Sequence, residues 1–216
     1  KNNSSIRIPK IVKDLKEGKS IAIVSDAGMP GICDPGEEIA RRLRSERIDV
    51  ICIPGACAAI TGLISSGMPS SSFTFEGFLP KKKIDREKII LEISSRKKTT
   101  IIFESPRRLK KLLNELNEFC GGDREIFVAR ELTKKYEEHI GNNIHEVIKF
   151  FENKEVLGEI TIVIKGIDDK LNLEFDEAEL KKELIELINA GLSLSAASKY
   201  LAKKNGIKKS EIYNLI

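Results

Sequence analysis

The run Ile21-Ala-Ile-Val-Ser-Asp-Ala-Gly-Met-Pro-Gly-Ile-Cys-Asp-Pro-Gly36 decides the fold class. Ile21–Val24 is a short apolar segment of the kind a buried strand shows. It runs into Ser25-Asp26 and then a loop carrying Gly28, Pro30, Gly31, Pro35 and Gly36. A helix is predicted next, over 37–44, followed by a second apolar strand, Val50–Ile53, and a Pro54-Gly55 turn into an Ala-rich helix over 56–65. Upstream, Ile8, Ile11, Val12 and Leu15 repeat on one helical face that Gly18 ends. This alternation of strand, loop and helix predicts an α/β protein with a parallel sheet covered by helices on both faces.

Ser65–Ser72 is rich in serine with Gly67 and Pro69, and reads as a linker. Beyond it, strands are predicted at 73–78, 100–103, 125–129 and 159–164, and helices at 86–93, 106–119 and 145–151. A second α/β domain follows from that count. The expected organisation is an α/β domain over 1–70, a second over 71–167, and a helical segment over 168–216 behind a charged connector at 168–176. In the tail, Leu180, Leu184, Leu187 and Ile188 form a helical stripe. Ser193 or Ser195 is placed to cap a second helix bearing Ala197, Tyr200 and Leu201, with Gly206 as its stop. Ser210 is placed to cap a last turn. With Lys199, Lys203, Lys204, Lys208 and Lys209, this unit suits either nucleic acid or packing on the body.

Of 216 residues, 41% are hydrophobic and 32% charged, enough for a packed core. No apolar run approaches the ~20 residues that a membrane helix needs, and the polar Lys1–Ser5 start ahead of an amphipathic helix does not read as a signal peptide. Cys33, Cys52, Cys57 and Cys120 show no CxxC pair and no zinc spacing, so free, mostly buried thiols in a reducing cytoplasm are expected, and no metal. Net charge is +4, from 37 basic and 33 acidic residues. So small an excess identifies nothing. Its clustering at Lys81–Lys83, Arg86 and Lys88, at Arg96–Lys98, and at Arg107, Arg108, Lys110 and Lys111 suits either a phosphate backbone or a solvated surface.

The chemistry-bearing loop Ser25–Gly36 sits where open α/β sheets bind ligands, at the carboxyl end of its strand. It matches neither a Walker A sequence nor a dinucleotide fingerprint. Residue types alone leave a nucleotide-like ligand and a tight structural turn both open. Alternating Phe73, Phe75 and Phe78 are expected in the core rather than stacked on bases, and the cysteines as core filler. His139 and His145 are expected at the surface.

Taken together, SDAGMPGICDPG (25–36), IPGACAAI (53–60), SGMPSSSFTFEGFLP (66–80), FESPRRL (103–109), GGDREIFVARELTKKYEE (121–138) and GEITIV (158–163) resemble the tetrapyrrole methylase family, and within it the branch that acts on ribosomal RNA. The resemblance spans nearly the whole body, and the tail is similar to the carboxyl-terminal segment of that branch. It implies two α/β domains, S-adenosylmethionine in the cleft between them, a homodimer, and 2′-O-methylation of a cytidine in the decoding region of 16S rRNA, on naked RNA or on small subunits. Carried onto this chain, Asp26, Ala27, Gly28, Met29 and Pro30, with Pro54, Gly55, Ala56, Cys57 and Ala58, line the donor pocket. Glu76, Gly77, Glu104, Ser105, Pro106, Ala129, Arg130, Glu131, Leu132, Thr133, Gly158 and Glu159 complete the cleft. Activating a ribose hydroxyl calls for a base or a charge-stabilising contact. Asp26, Glu131 and Lys134 are the candidates, with Arg130 stabilising charge or gripping phosphate. Against this, Glu131 with Lys135 and Lys134 with Glu138 suit ordinary surface pairs if that segment is helical.

Two departures stand out. Arg107 occupies the place of a common family histidine. The family pattern also opens with a strand and a Pro-x-Gly-Asn-type loop ahead of the first helix here, so the first domain is expected to lack them. The rival readings are a methylase acting on a tetrapyrrole carbon or a modified protein histidine, and a noncatalytic RNA-binding protein.

Overall fold

The computed structural model describes residues 4–34, 36–167, 177–205 and 212–216; the predicted connector, Pro35, Gly206, Lys208, Lys209 and Ser210 lie outside them. The chain forms two compact units, Lys1–Ile167 and Asp168–Ile216.

In the first unit, α1 (Ser4–Lys16), α2 (Glu37–Ser45) and α3 (Ala58–Ser66) precede β1 (Phe73–Phe78), α4 (Lys83–Ser94), β2 (Thr99–Glu104), α5 (Pro106–Cys120), β3 (Glu125–Arg130), β4 (Glu138–Asn143), α6 (Ile144–Phe151) and β5 (Ile160–Ile164). The sheet is mixed rather than parallel. Its five strands run β1-β2-β5-β3-β4, with β1 and β2 parallel and the other pairs antiparallel. β5 has ladders on both edges and five buried residues, which is why it reads as a nearly unbroken apolar run.

Alternation along the strands divides the core in two. Ile102, Val128 and Ile162 face α4, α5 and α6, where Ile90, Leu112 and Val147 complete a large cluster. Ile101, Val163 and Phe127 face α3, where Ala59 and Leu63 pack against them. α5 starts at Pro106, a residue suited to the first helical turn, and buries Leu109, Leu112, Leu113 and Leu116 on one stripe. α6 is capped by Asn143, whose side chain accepts the Glu146 N–H at 2.9 Å.

The predicted strands Ile21–Val24 and Val50–Ile53 do not form. Both segments run without a ladder, and Val24, Ile51 and Ile53 are 86%, 87% and 81% exposed. Apolar composition favours a strand only where a neighbouring strand supplies hydrogen-bond partners, and none of the described residues does so here. What remains of this region is helical, with α1 and α2 packed through Ile8, Val12 and Leu43. The stretch read as a linker is anchored: Met68 is buried, and the Thr99 hydroxyl donates to the Pro69 carbonyl at 2.7 Å.

Several smaller expectations are corrected. β4 is additional, a polar edge strand with Ile140 alone buried in it. Cys33 and Cys52 are exposed and only Cys57 and Cys120 are partly buried, so the thiols are free but not mainly core filler. Phe75 packs against Phe103, yet Phe73 and Phe78 are exposed, since β1 is an edge strand. Both histidines are at the surface as expected.

In the second unit, α7 (Glu177–Asn189) and α8 (Leu194–Asn205) pack through Leu180, Leu184, Ala197 and Leu201, joined by Ile212. Of the two serines considered as caps, Ser193 accepts the Ala196 N–H at 3.3 Å.

Among the described residues the most buried ion pair ties α4 to α5. Arg86 Nε and Nη2 donate to the two Glu115 carboxylate oxygens at 2.7 Å each, with both side chains no more than 10% exposed. The Arg86 hydrogen bonds hold the Glu115 carboxyl below its ordinary range. Because the folded value is depressed, the pair's stabilisation is complete above the unfolded carboxylate value of about 4.3 and is lost as pH falls through the lower folded value. Glu115→Ala, which strands the guanidinium, is expected to cost about 3 kcal/mol in urea unfolding at pH 7. The deficit relative to the parent chain should shrink on acidification; a deficit independent of pH would show that the pair is not what Glu115 contributes.

Candidate functional site

Loop 25–34 and the turn before α3 meet directly. The Met29 N–H donates to the Ala56 carbonyl at 2.8 Å, and a methyl group on Gly28 would sit 3.1 Å from the Ala56 oxygen. The two segments predicted to hold a donor are thus one structure, with Asp26, Ala27, Pro54, Gly55, Ala56 and Ala58 exposed and Met29, Pro30 and Cys57 partly covered. Ser25 steadies the loop, its hydroxyl 2.9 Å from Asp34 Oδ2 and 3.2 Å from the Ala27 carbonyl. Asp26 itself makes no hydrogen bond or ion pair among the described residues, which leaves its carboxylate free to accept from a ligand.

β1 brings the next piece. Its register slips at Glu76, between Phe75 and Gly77, and Gly77 takes φ +62°, the left-handed conformation that a glycine bulge requires. A methyl there would lie 2.9 Å from Cys33 Sγ, so the bulge presses against loop 25–34. The Glu76 carboxylate is held by Arg96 at 2.5 Å.

At the same end of the sheet, register sets Glu104, Ile160 and Arg130 in one row and Phe103, Thr161 and Ala129 in the next. Opposed residues share a face. Phe103 and Ala129 therefore lie with Thr161 on the α3 side, where a methyl on Gly62 of α3 would be 2.7 Å from Thr161 Cγ2. Glu104 and Arg130 lie on the α5 side. The donor-cleft assignment thus divides: Ala129 faces the α3 side, while Glu104 turns away from it, its Oε1 accepting the Ser105 N–H at 2.6 Å ahead of Pro106 and α5.

Just past β3, Glu131, Leu132 and Thr133 form a tight turn in which Glu131 and Thr133 take φ +55° and +65°. For a β-branched residue that conformation is strained. It is held from outside: Glu131 N–H donates to the Glu159 carbonyl at 2.9 Å, Glu159 N–H returns a bond to Glu131 Oε1 at 2.9 Å, and Glu137 accepts the Thr133 N–H at 2.7 Å. Lys134 Nζ closes the cluster, 2.9 Å from Glu131 and 3.0 Å from Glu159. Lys134 hydrogen bonding, aided by the Glu159 N–H, holds Glu131 below the usual carboxylate range, and the same two carboxylates raise Lys134. Each group is thereby fixed in its charged form.

The helical pairs considered for this segment are absent. Lys134 takes Glu131 and Glu159, and Glu138 takes Arg130 at 3.1 Å, because the chain turns into β4 instead of a helix. Arg130 also donates to the Leu157 carbonyl at 3.2 Å. Sequence reading missed Glu137 and weighed Glu138 only as a partner of Lys134; the contacts of both follow from a turn that no local pattern announces. It also missed Glu115, tied to Arg86 across 29 positions.

Residues 3–148 match the family model "Tetrapyrrole (Corrin/Porphyrin) Methylases". Curated relatives named ribosomal RNA small subunit methyltransferase I include one from Synechocystis sp., 38% identical over 99% of this chain and 77% of its own length. Another, from Bacillus subtilis, is 41% identical over 95% of this chain and 71% of its own. A third, from Thermotoga maritima, is 44% identical over 76% and 73%. Among solved structures, a cobalt precorrin-4 methyltransferase of cobalamin biosynthesis superposes with TM-score 0.56 at 15% identity, covering 74% of this chain and 70% of that one. A uroporphyrin-III C-methyltransferase from Thermus thermophilus, complexed with S-adenosylhomocysteine, gives 0.51 at 12% identity over 75% and 73%. At those identities the structures report the fold alone.

Gly158 is the pivot of the Glu131 cluster. Its φ is +91°, and a methyl there would fall 2.5 Å from both Glu131 Cγ and Oε1. Gly158→Ala is expected to lower unfolding free energy by about 1–3 kcal/mol, measured by thermal denaturation; an unchanged midpoint would show that the turn tolerates a side chain and is not held as described.

Proposed function

The chain belongs to the tetrapyrrole methylase family, and within it we propose a ribosomal RNA methyltransferase that moves a methyl group from S-adenosylmethionine to the 2′-oxygen of a cytidine in the decoding region of 16S rRNA. The observation that carries this is the 38% identity over 99% of the chain to a protein named for small-subunit rRNA methylation. The tetrapyrrole alternative has in its favour the description of the family model and a shared fold at 12–15% identity to the two solved structures above.

The residues present suit the donor. Loop 25–30 and turn 54–58 offer exposed backbone and an unengaged Asp26 carboxylate, a setting for the hydroxyls and amide-seeking atoms of a nucleoside. S-adenosylmethionine, when bound, supplies an electrophilic methyl group on a sulfonium. Alignment of the acceptor oxygen behind that methyl is the chief task left to the protein. Glu131 and Lys134, each fixed in its charged form, are poor proton acceptors at neutral pH. Lys134 is placed to stabilise negative charge, and Glu131 to position it through the shared contact with Glu159. Asp26, with its lone pairs uncommitted among the described residues, is the better proton acceptor. Arg130 remains a phosphate-gripping candidate through whatever donors Glu138 and Leu157 leave over.

A homodimer working in the cytoplasm completes the reading. Ile60 and Ile64, exposed on α3, are apolar area that a second copy would cover. No helix among the described residues is long and apolar enough to cross a membrane.

The test is transfer of labelled methyl from S-adenosylmethionine to small ribosomal subunits lacking the modification, with nucleoside analysis of the product. Label on a cytidine 2′-oxygen is the expected result; label on a porphyrinoid instead would transfer the chain to the family's other branch. In the same assay Asp26→Asn is expected to lower kcat about 10²-fold with the fold intact, whereas an unchanged kcat would take proton acceptance away from Asp26.

A further inference from the structure

The turn between β3 and β4 stands in a conformation that its own residues disfavour. Glu131 and Thr133 both take positive φ, +55° and +65°, and neither is glycine. For threonine, branched at Cβ, the left-handed region is kept only where the surroundings impose it. The two ends of the turn are held differently. Glu131 is tied to Glu159 through its N–H, its carboxylate and the Lys134 bridge. The Thr133 N–H has one partner among the described residues: it donates to Glu137 Oε2 at 2.7 Å.

Glu137 reaches back over the turn that it follows. Its N–H donates to the Lys134 carbonyl at 3.2 Å, and the Lys134 N–H donates to the Glu131 carbonyl at 3.0 Å, so backbone and side chain close the turn together. The carboxylate is oriented in its turn by β4, its Oε1 lying 2.7 Å from His139 Nε2. His139 opposes Ala129 across the β3–β4 ladder, and its ring stands edge-on to its diagonal neighbour Phe127, with centroids 5.2 Å apart. Phe127 packs on the buried α3 cluster. A chain of contacts therefore runs from the core through Phe127, His139 and Glu137 to a single amide.

Exposed pairs such as Glu137 and His139 add little to global stability. Their effect is local, selecting one backbone conformation at Thr133. Lys134, the group placed to stabilise charge, leaves the chain one residue later, so the angle at Thr133 sets where it starts and how the edge of the turn faces the cleft. We propose that Glu137 is a positioning residue for methyl transfer, with His139 orienting its carboxylate, and that together they hold turn 131–133 in the shape that receives S-adenosylmethionine before the donor arrives. Neither is a catalytic residue, since each acts through the Thr133 amide. This role rests on the methyltransferase reading, in which Ala129–Thr133 forms part of the donor cleft.

The experiment compares the parent chain with Glu137→Ala, Glu137→Gln, His139→Ala, His139→Gln and Glu115→Ala, at a temperature where thermal unfolding shows all of them folded. Glu115→Ala lowers stability from α5, outside the turn and its contacts, and so controls for stability alone. The readouts are hydrogen exchange at the Thr133 amide, calorimetric affinity for S-adenosylhomocysteine, and steady-state methylation of unmodified small subunits. Glu137→Ala should speed exchange at Thr133 and weaken affinity about tenfold, the scale of one lost hydrogen bond to a charged group. KM for the donor should rise with it, while KM for the subunit changes less than about twofold. Glu137→Gln, whose amide oxygen can still accept the N–H, should recover most of both. His139→Ala should shift exchange and affinity the same way by about threefold, and His139→Gln, which keeps a donor, should restore them. An unchanged Thr133 exchange rate in Glu137→Ala, or an equal loss of donor affinity in Glu115→Ala, would overturn the positioning role and leave the reaction standing. Faster exchange with affinity unaltered would overturn it too, making the clamp purely structural. No binding of S-adenosylhomocysteine and no transfer by the parent chain would overturn the methyltransferase reading, and this role with it.

Discussion

The sheet of the first unit and the clusters on its two faces lean on Ile160–Ile164. These five residues are buried, hydrogen-bonded along both edges, and shared between the two halves of the core: Ile160, Ile162 and Ile164 go to the α4–α5–α6 cluster and Val163 to the α3 cluster. β2 and β3 meet only through them. Because strand alternation is strict, the register of β5 also decides which face each neighbouring residue takes. Glu104 and Arg130 are sent one way, Phe103 and Ala129 the other. The chemistry at the sheet's end is thus a consequence of pairing, settled before any ligand is considered.

Around that end, positive and negative charges are paired so tightly that few remain to act. Lys134 binds Glu131 and Glu159, Arg130 binds Glu138, and Arg96 binds Glu76. Such partly exposed pairs add little stability individually. Their effect is selective: they orient backbone and take groups out of contention. What is uncommitted among the described residues, above all the Asp26 carboxylate in the loop, stands out against the pairing.

Much of this was legible in the sequence, and the failures have a common cause. β1, β2, β3 and β5 and the helices α3 to α6 announce themselves through apolar runs bounded by Gly, Pro and Ser. β4, Glu-His-Ile-Gly-Asn-Asn, does not, because an edge strand that buries one side chain has no apolar signature. Ile21–Val24 and Val50–Ile53 carry the signature without the strand, since a ladder belongs to two segments and composition to one. The candidate site divides the same way. Residues of loop 25–30 and turn 54–58 were found together by motif and are together in space. The Arg86–Glu115 fork, the face taken by Glu104, and the left-handed turn at Glu131 and Thr133 depend on contacts between distant positions, which no local spacing encodes.

The central strand is also the last strand of its unit in chain order. On the ribosome, β1 with β2 and β3 with β4 can pair as they emerge, but the gap between them stays open until residues 160–164 leave the exit tunnel. Between the completion of β4 at Asn143 and the emergence of β5 the unit is two partial sheets, each with an unprotected inner edge, the kind of nascent species that chaperones shield. Closure is then a single late event that joins both faces at once, making this unit all-or-nothing with respect to its own translation.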